Sequence, residues 1–287
     1  MTRCIYVDGR YRSYAGAMVH AEDRGFQFAD AVYEVIEIRD RALIDITRHL
    51  ARLSRSLSEL GIPRPMSDAG LRVVIVEVAR RNRVRDGIVY LQVTRGAGPR
   101  DFALPPATAE PTFVCLARSQ SREKIDARAA SGAAVKTLPD PRWTRCDLKT
   151  VMLLPSVLAK AAAKAEDATE AWFVDDQGMI TEGASSNAWI VDATGALVTR
   201  PTGPDILAGV TRATLKDVAV LAQLECVERP FTVAEAIGAR EAFYTSASAI
   251  LMPVVAIDGK PVGDGRPGPI ARRLRALFHE TAETMPF

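Results

Sequence analysis

Apolar residues alternate with polar ones in some stretches of this chain and recur every three or four positions in others, which separates strands from helices. Residues 3–14 read as a hairpin turning at Asp8-Gly9. Residues 32–46 read as a second, with alternating runs on either side of a polar turn at Arg39-Asp40-Arg41. Leu50, Leu53, Leu57 and Leu60 then stripe one side of a helix, with Thr47 as its cap and Gly61 as its stop. Another helix is predicted from Ser67-Asp68, with Leu71, Val74, Ile75 and Val78 inward, followed by strands at about 87–94 and 111–118. The Gly/Pro-rich loop 95–106 lies between those strands. This half is expected to be a sheet with helices on one side.

The polar stretch Arg118-Ser-Gln-Ser-Arg-Glu-Lys124 reads as a linker. Beyond it the pattern predicts strands at 132–138, 145–149, 170–175, 180–199, 225–229 and 241–246, with helices at 153–166, 210–223 and 268–283. The expected organisation is an N-terminal α/β domain over 1–119, a linker over 120–125 and a C-terminal domain over 126–287. No repeat or low-complexity tract interrupts it.

Composition narrows the function. The chain has 287 residues, 48% hydrophobic and 25% charged, with a net charge of +2, so nothing points to nucleic acid or an anionic membrane. Cys4, Cys115, Cys146 and Cys226 are scattered without a CxxC pair, and His20, His49 and His279 lack metal-ligand spacing. No metal site is expected, and a reducing cytoplasm is. The opening residues lack the apolar run of a signal peptide, and no segment has the length of a membrane span.

Lys149 follows Arg145-Cys146-Asp147-Leu148 and precedes an apolar run. Desolvation disfavours a charged ammonium and turns lysine into a nucleophile able to form a Schiff base. A lysine in such a setting also snorkels at a strand end, and this position alone does not separate the two. Thr181-Glu182-Gly183-Ala184-Ser185-Ser186-Asn187 is either a small polar turn or a carboxylate able to keep a ring nitrogen protonated. Leu207-Ala208-Gly209-Val210-Thr211 is an ordinary helix start or an anion site made of free amides. Arg52 lies opposite the leucine stripe beside Arg48 and Arg55, on a solvated face or gripping phosphate. Tyr33, after Glu22-Asp23-Arg24-Gly25-Phe26-Gln27-Phe28, packs in a sheet or faces a substrate.

Taken in this order, the clusters resemble the fold-type IV pyridoxal phosphate enzymes, most closely the D-amino-acid aminotransferase branch. The likeness runs from Glu22-Asp23-Arg24-Gly25 to Ile257-Asp258-Gly259-Lys260 and includes Arg142-Trp143-Thr144-Arg145-Cys146-Asp147-Leu148-Lys149. It implies an α+β fold with a smaller N-terminal α/β domain and a larger C-terminal mixed, β-barrel-like domain. It also implies pyridoxal 5′-phosphate as cofactor and ping-pong transamination of D-amino acids with a 2-oxo acid, 2-oxoglutarate or pyruvate.

By the same resemblance Lys149 is the Schiff-base lysine and proton shuttle, and Glu182 partners the ring nitrogen. Arg52, Val210 and Thr211 hold the phosphate, and Leu207 packs on the ring beside Ser185 and Ser186. Tyr33 and Arg100 receive the substrate carboxylate, with loop 95–106 supplied by the partner of a homodimer. Two positions depart from the pattern. Phe102 stands where the compared loop carries a histidine, and Ala247, beside Ser246, stands where a phosphate-binding threonine is common. Backbone amides, with Ser246 or Ser248, are left to serve there. A branched-chain L-aminotransferase, an (R)-amine transaminase and an aminodeoxychorismate lyase-like enzyme share the implied fold. A non-catalytic domain with a vestigial site is opposed by the joint presence of Lys149, Glu182, Arg52 and Tyr33.

Overall fold

A computed structural model describes residues 3–106 and 109–287; Met1 and Thr2, where the reading of the N-terminus begins, lie outside the described residues. The elements run in order β1 (Cys4–Val7), β2 (Arg10–Ser13), α1 (Arg24–Phe28), β3 (Ala31–Arg39), β4 (Ala42–Ile44), α2 (Ile46–Leu60), α3 (Asp68–Arg81), β5 (Gly87–Thr94) and β6 (Phe113–Ser119). There follow α4 (Arg122–Ser131), β7 (Ala133–Pro139), α5 (Leu154–Ala165), β8 (Glu170–Val174), β9 (Ile180–Gly183), β10 (Asn187–Val191) and β11 (Leu197–Thr199). The last are α6 (Val210–Leu221), β12 (Cys226–Glu228), α7 (Val233–Ile237), β13 (Glu241–Ser246), β14 (Ile250–Ile257), β15 (Lys260–Pro261), α8 (Pro269–Thr281) and β16 (Thr284–Pro286). Among the described residues no helix is long and apolar enough to cross a membrane.

The chain forms two compact units. The first holds residues 1–122, 148–152 and 283–287, and the second holds 123–147 and 153–282. The division is therefore not the single linear cut expected from sequence, because two short segments return to the first unit. The expected linker is largely the first turn of α4. Its charges read as a solvated connection, but they line a mostly exposed helix in which only Ala129 is buried. The strand expected at 145–149 is a turn in which Cys146, Asp147 and Leu148 are all buried.

In the first unit the strands order as β16-β4-β3-β5-β6-β1-β2, antiparallel throughout. Asp8 and Gly9 both have positive φ, as do Asp40 and Arg41, the backbone that matches tight turns to strand twist. On β3, Val32, Glu34, Ile36 and Ile38 are buried while Tyr33, Val35 and Glu37 are half-buried. The inward positions pack with Leu50, Leu53 and Leu57 of α2 and Leu71, Val74 and Ile75 of α3 in one core. Gly61 ends α2 in the left-handed conformation. The N-cap of α2 is Asp45, not Thr47, whose amide and hydroxyl donate to Glu283 at 3.0 and 2.7 Å.

The second unit is a mixed sheet ordered β12-β11-β10-β13-β14-β7-β8-β9, with β15 beside β14. The pairs β7·β8, β7·β14 and β11·β12 are parallel. The end strand β9 also lies against β10, so the sheet curls toward a half-barrel. Trp172, Ile190, Val198, Phe231 and Val254 share its core. Besides α4, two elements of this unit escaped the pattern: α7 is a single short turn, and β14 is so continuously apolar that it lacks alternation.

Helix α8 is capped from outside itself. The Glu241 carboxylate accepts from the amides of Ile270 and Ala271 at 2.9 and 2.8 Å. A Cβ on Gly268 would lie 2.0 Å from Glu241 Cδ, so the carboxylate reaches the helix only past a glycine. Glu241→Ala leaves two helix-terminal amides without an acceptor and is expected to lower stability by about 1–3 kcal/mol. A urea unfolding curve checks this, with Glu241→Gln retaining part of the loss.

Candidate active site

The predicted site residues fall in both units. In the first, residues 148–152 lie beside the start of β3. The Tyr33 amide donates to the Lys149 carbonyl at 2.9 Å, the Val151 amide to the Ala31 carbonyl at 3.1 Å, and Val32 bridges Thr150. Lys149 Nζ stands 4.2 Å from the Tyr33 ring centre. Tyr33 stacks on Tyr90 at 5.6 Å, and the Tyr90 hydroxyl donates to Gln92 Oε1 at 2.6 Å. Burial, with Tyr33 nearby, pushes the Tyr90 hydroxyl up to about 12, so it keeps its proton. Lys149 is half-buried, and its amine lies over one ring of the Tyr33–Tyr90 pair.

Arg52 is not on a solvated face. Its guanidinium grips Glu34 bidentately, Nε to Oε1 and Nη2 to Oε2 at 2.8 Å each. Glu34 is fully buried, and its Oε2 lies 2.7 Å from His49 Nδ1. Burial works to raise the Glu34 carboxyl, but the charge and hydrogen bonds of Arg52, with the bond from His49, bring it to about 2. Desolvation outweighs Glu34 at His49 and lowers the imidazole below its ordinary value. The ring is then neutral, with Nδ1–H donating to the carboxylate.

The Glu22–Gly25 motif is architectural. Asp23 caps α1 by accepting from the Gly25 amide at 2.8 Å, and a Cβ on Gly25 would meet Thr94 Cγ2 at 2.5 Å. Asp30 accepts from Arg24 Nε at 2.9 Å and from Arg95 Nε and Nη2 at 2.7 and 3.0 Å. Arg24 also donates to the Asp101 carbonyl at 2.8 Å and so holds loop 95–106. On that loop Arg100 is exposed, its guanidinium 5.2 Å from the Phe28 ring, and Phe102 is 82% exposed.

In the second unit Glu182 is buried on β9. Its Oε1 accepts from Arg142 Nη1, and its Oε2 accepts from Asn187 Nδ2 at 2.9 Å and from the Leu207 amide at 3.1 Å. Gly183 cannot carry a Cβ, which would lie 2.1 Å from Ser186 Oγ. The Ser185 and Ser186 hydroxyls donate to buried Glu170 at 2.8 and 3.2 Å. Val210 and Thr211 open α6 after Gly209, an N-cap without a side-chain bond. A Gly209 Cβ would sit 2.0 Å from Asn187 Oδ1, so close approach rather than backbone angle demands this glycine. Asn187 also pairs with Thr245 at the end of β13, where Ser246 and Ala247 begin a tight turn. It thereby joins Glu182, the α6 N-terminus and the 246–248 turn.

Sequence reasoning assigned no role to Arg142, Asn187, Glu34, His49 or Glu170. The available signal was a polar residue in a buried strand: Asn187 opens the otherwise apolar Asn-Ala-Trp-Ile-Val of β10, and a buried amide requires partners.

The donor set suits pyridoxal phosphate. Glu182 offers buried carboxylate oxygens that would meet a ring N–H⁺, and the start of α6 after the bare Gly209 has no side-chain cap, so its amides would suit a phosphate. A model of the class IV aminotransferases matches residues 31–257, and the chain belongs to that family of pyridoxal phosphate-dependent transferases with the fold-type IV architecture. It is 36% identical to the D-alanine aminotransferase of Staphylococcus haemolyticus over 98% of each chain. It is likewise 36% identical to that of Bacillus licheniformis, over 98% of this chain and 99% of the other. A T.th. branched-chain amino acid aminotransferase, solved with pyridoxamine 5′-phosphate, superposes with a TM-score of 0.89 at 25% identity, covering 98% of this chain and 94% of that one.

The Glu34–His49–Arg52 cluster predicts acid lability. Both lowered pKa values mean that the unfolded chain binds more protons, so stability falls as pH falls. The His49 contribution is complete above 6.5 and is lost toward its lowered folded value. The Glu34 contribution is complete above 4.5 and is lost toward about 2. Urea midpoints measured from pH 7 to 3 should decline through both windows. Glu34→Gln should remove the lower one and cost about 3–5 kcal/mol at neutral pH by leaving Arg52 without its carboxylate.

Proposed function

We propose that this chain moves amino groups between D-amino acids and a 2-oxo acid, 2-oxoglutarate or pyruvate, in a ping-pong cycle. The observation that carries the reading is the Lys149 amine over the Tyr33–Tyr90 pair. The D-amino-acid branch is favoured by the names of the relatives matched along nearly the whole chain. When bound, pyridoxal phosphate supplies the aldehyde that captures amino groups and the electron-poor ring that stabilises a carbanion.

Each residue then has a task. Lys149 Nζ anchors the cofactor, takes the substrate α-proton and returns it at the cofactor's aldehyde carbon. Glu182 keeps a proton on the ring nitrogen, Leu207 covers the ring, and Ser185 and Ser186 order its surroundings through Glu170. The amides of Val210 and Thr211 bind phosphate together with Arg52 and the turn at Ser246 and Ala247. Tyr33 and Arg100 receive the substrate carboxylate, and Phe102 gives the entrance an apolar rim.

The working unit is a homodimer in which loop 95–106 serves the partner's site. Support comes from the exposure of Arg100 and Phe102 and from the apolar residues Leu154, Val157 and Leu158 exposed on α5. Four free cysteines suit the cytoplasm.

Lys149→Ala is expected to abolish turnover of D-alanine with 2-oxoglutarate; multiple turnovers without added amine would refute its role. Mixing Lys149→Ala and Arg100→Ala protomers tests the shared loop. Hybrid dimers rebuild one intact site, so random mixing restores about a quarter of wild-type activity. No restoration places Arg100 in its own protomer's site. If Arg100→Ala itself spares D-alanine while (R)-1-phenylethylamine turns over well, the amine transaminase reading replaces this one.

A further inference from the structure

We propose that Asp140 and Arg142 are positioning residues that set the charge of Glu182, keeping it ionised and aimed while leaving it basic enough to hold a proton on the cofactor's ring nitrogen. This rests on the reading of Glu182 as the ring partner.

One guanidinium bridges two carboxylates. Arg142 Nε and Nη2 donate to Asp140 Oδ1 and Oδ2 at 2.9 and 2.7 Å, while Nη1 donates to Glu182 Oε1. Nη2 also reaches the Asp205 carbonyl at 3.1 Å and Thr181 Oγ1 at 3.3 Å. The Thr181 hydroxyl donates to Asp140 Oδ2 at 2.8 Å, and the guanidinium lies 4.7 Å from the Phe173 ring centre. Side-chain exposure is 11% for Arg142, 13% for Asp140 and 7% for Glu182, so this is not a solvent-screened surface pair. The fork cannot rotate without losing several bonds at once.

The arrangement is one of sign as well as shape. Two carboxylates and one guanidinium carry a single net negative charge, the complement of one protonated pyridine. A buried Glu182 without Arg142 faces desolvation with no cation to offset it and becomes more basic, so it holds a ring proton to higher pH. Facing Arg142 without Asp140, it belongs to a neutral ion pair and is a weaker partner for a ring proton. Asp140 offsets most of the arginine's charge and leaves its geometry in place. Burial works to raise Asp140, but the bonds and charge of Arg142, with Thr181, keep it below the ordinary carboxylate range.

The other charged and titratable groups here are engaged or neutral. Arg200 pairs with Asp205 and Asp175. Glu170 takes the Ser185 and Ser186 hydroxyls and the Lys160 ammonium. Burial pushes the Cys146 thiol up to about 11, so it stays uncharged.

The test uses the holoenzyme reconstituted with ¹⁵N-labelled pyridoxal phosphate. The ring-nitrogen NMR shift is followed against pH without substrate, and kcat against pH with D-alanine. Asp140→Asn should move the loss of the ring proton down by about one pH unit and lower kcat about tenfold. Arg142→Gln should move it up, and the double variant should return it close to wild type. Asp140→Glu should restore wild-type behaviour and provides the reading if Arg142→Gln does not fold. A purely structural clamp produces no shift, or shifts of one sign in both single variants, and either result overturns the proposal. Glu182→Gln separates the two levels. If it moves the titration while the Asp140 variants do not, the charge-setting role alone fails. If it moves nothing, Glu182 is not the ring partner and both fail.

Discussion

A carboxylate enclosed by protein keeps its charge only when donors occupy its oxygens, and much of this structure exists to meet that requirement at Glu182. Arg142 takes one oxygen, and Asn187 and the Leu207 amide share the other. Each donor brings its own demand. Asn187 leaves no room for a Cβ at Gly209, and Gly183 must be bare for the following turn to close. Arg142 in turn requires Asp140. A single buried charge thus dictates one glycine, Gly209, an amide at a strand start and a second ion pair. Glu34 repeats the pattern in the first unit, where Arg52 and His49 meet its charge within the core between sheet and helix.

Chemistry and architecture are divided among residues that look alike in sequence. Lys149 and Glu182 are the residues to which the proposed chemistry falls. Asp23, Arg24, Asp30 and Arg95 form a polar knot that fixes the root of loop 95–106 and leaves Arg100 and Phe102 displayed beyond it. A loop that must present an arginine needs such an anchor, because its own backbone supplies few cross-links. Arg95 also donates to the Leu60 and Gly61 carbonyls, so the same knot closes the end of α2.

The face of β3 and β5 turned away from the core has mixed character. The half-buried side of β3 and β5 carries Tyr33, Val35, Glu37, Tyr90 and Gln92, opposite the face packed into the core. Two stacked phenols with a glutamine bound to one hydroxyl give an aromatic floor with few free donors. Phe102, on loop 95–106, adds exposed apolar area.

Local pattern was sufficient wherever structure depends on neighbours in sequence. Period-two runs, leucine stripes and Asp-Gly or Arg-Asp-Arg turns placed both hairpins and the two long helices α2 and α3 of the first unit. Motif order pointed to Lys149, Glu182, Arg52 and the α6 start, of which only the last is an element end. Pattern failed where long-range contact decides. Thr47 has a good cap's chemistry but is taken by Glu283, far along the chain. The charged run after Ser119 folds as a helix, and 145–149 is a turn buried by its surroundings. Arg52 looked solvated because its partner Glu34 lies on another element, and Arg142 had no visible role until Asp140 and Glu182 were set on either side of it. Residue type and spacing determine which groups are available for chemistry; the charge each meets, and so what it does, is decided only when distant carboxylates and guanidinium groups are buried together.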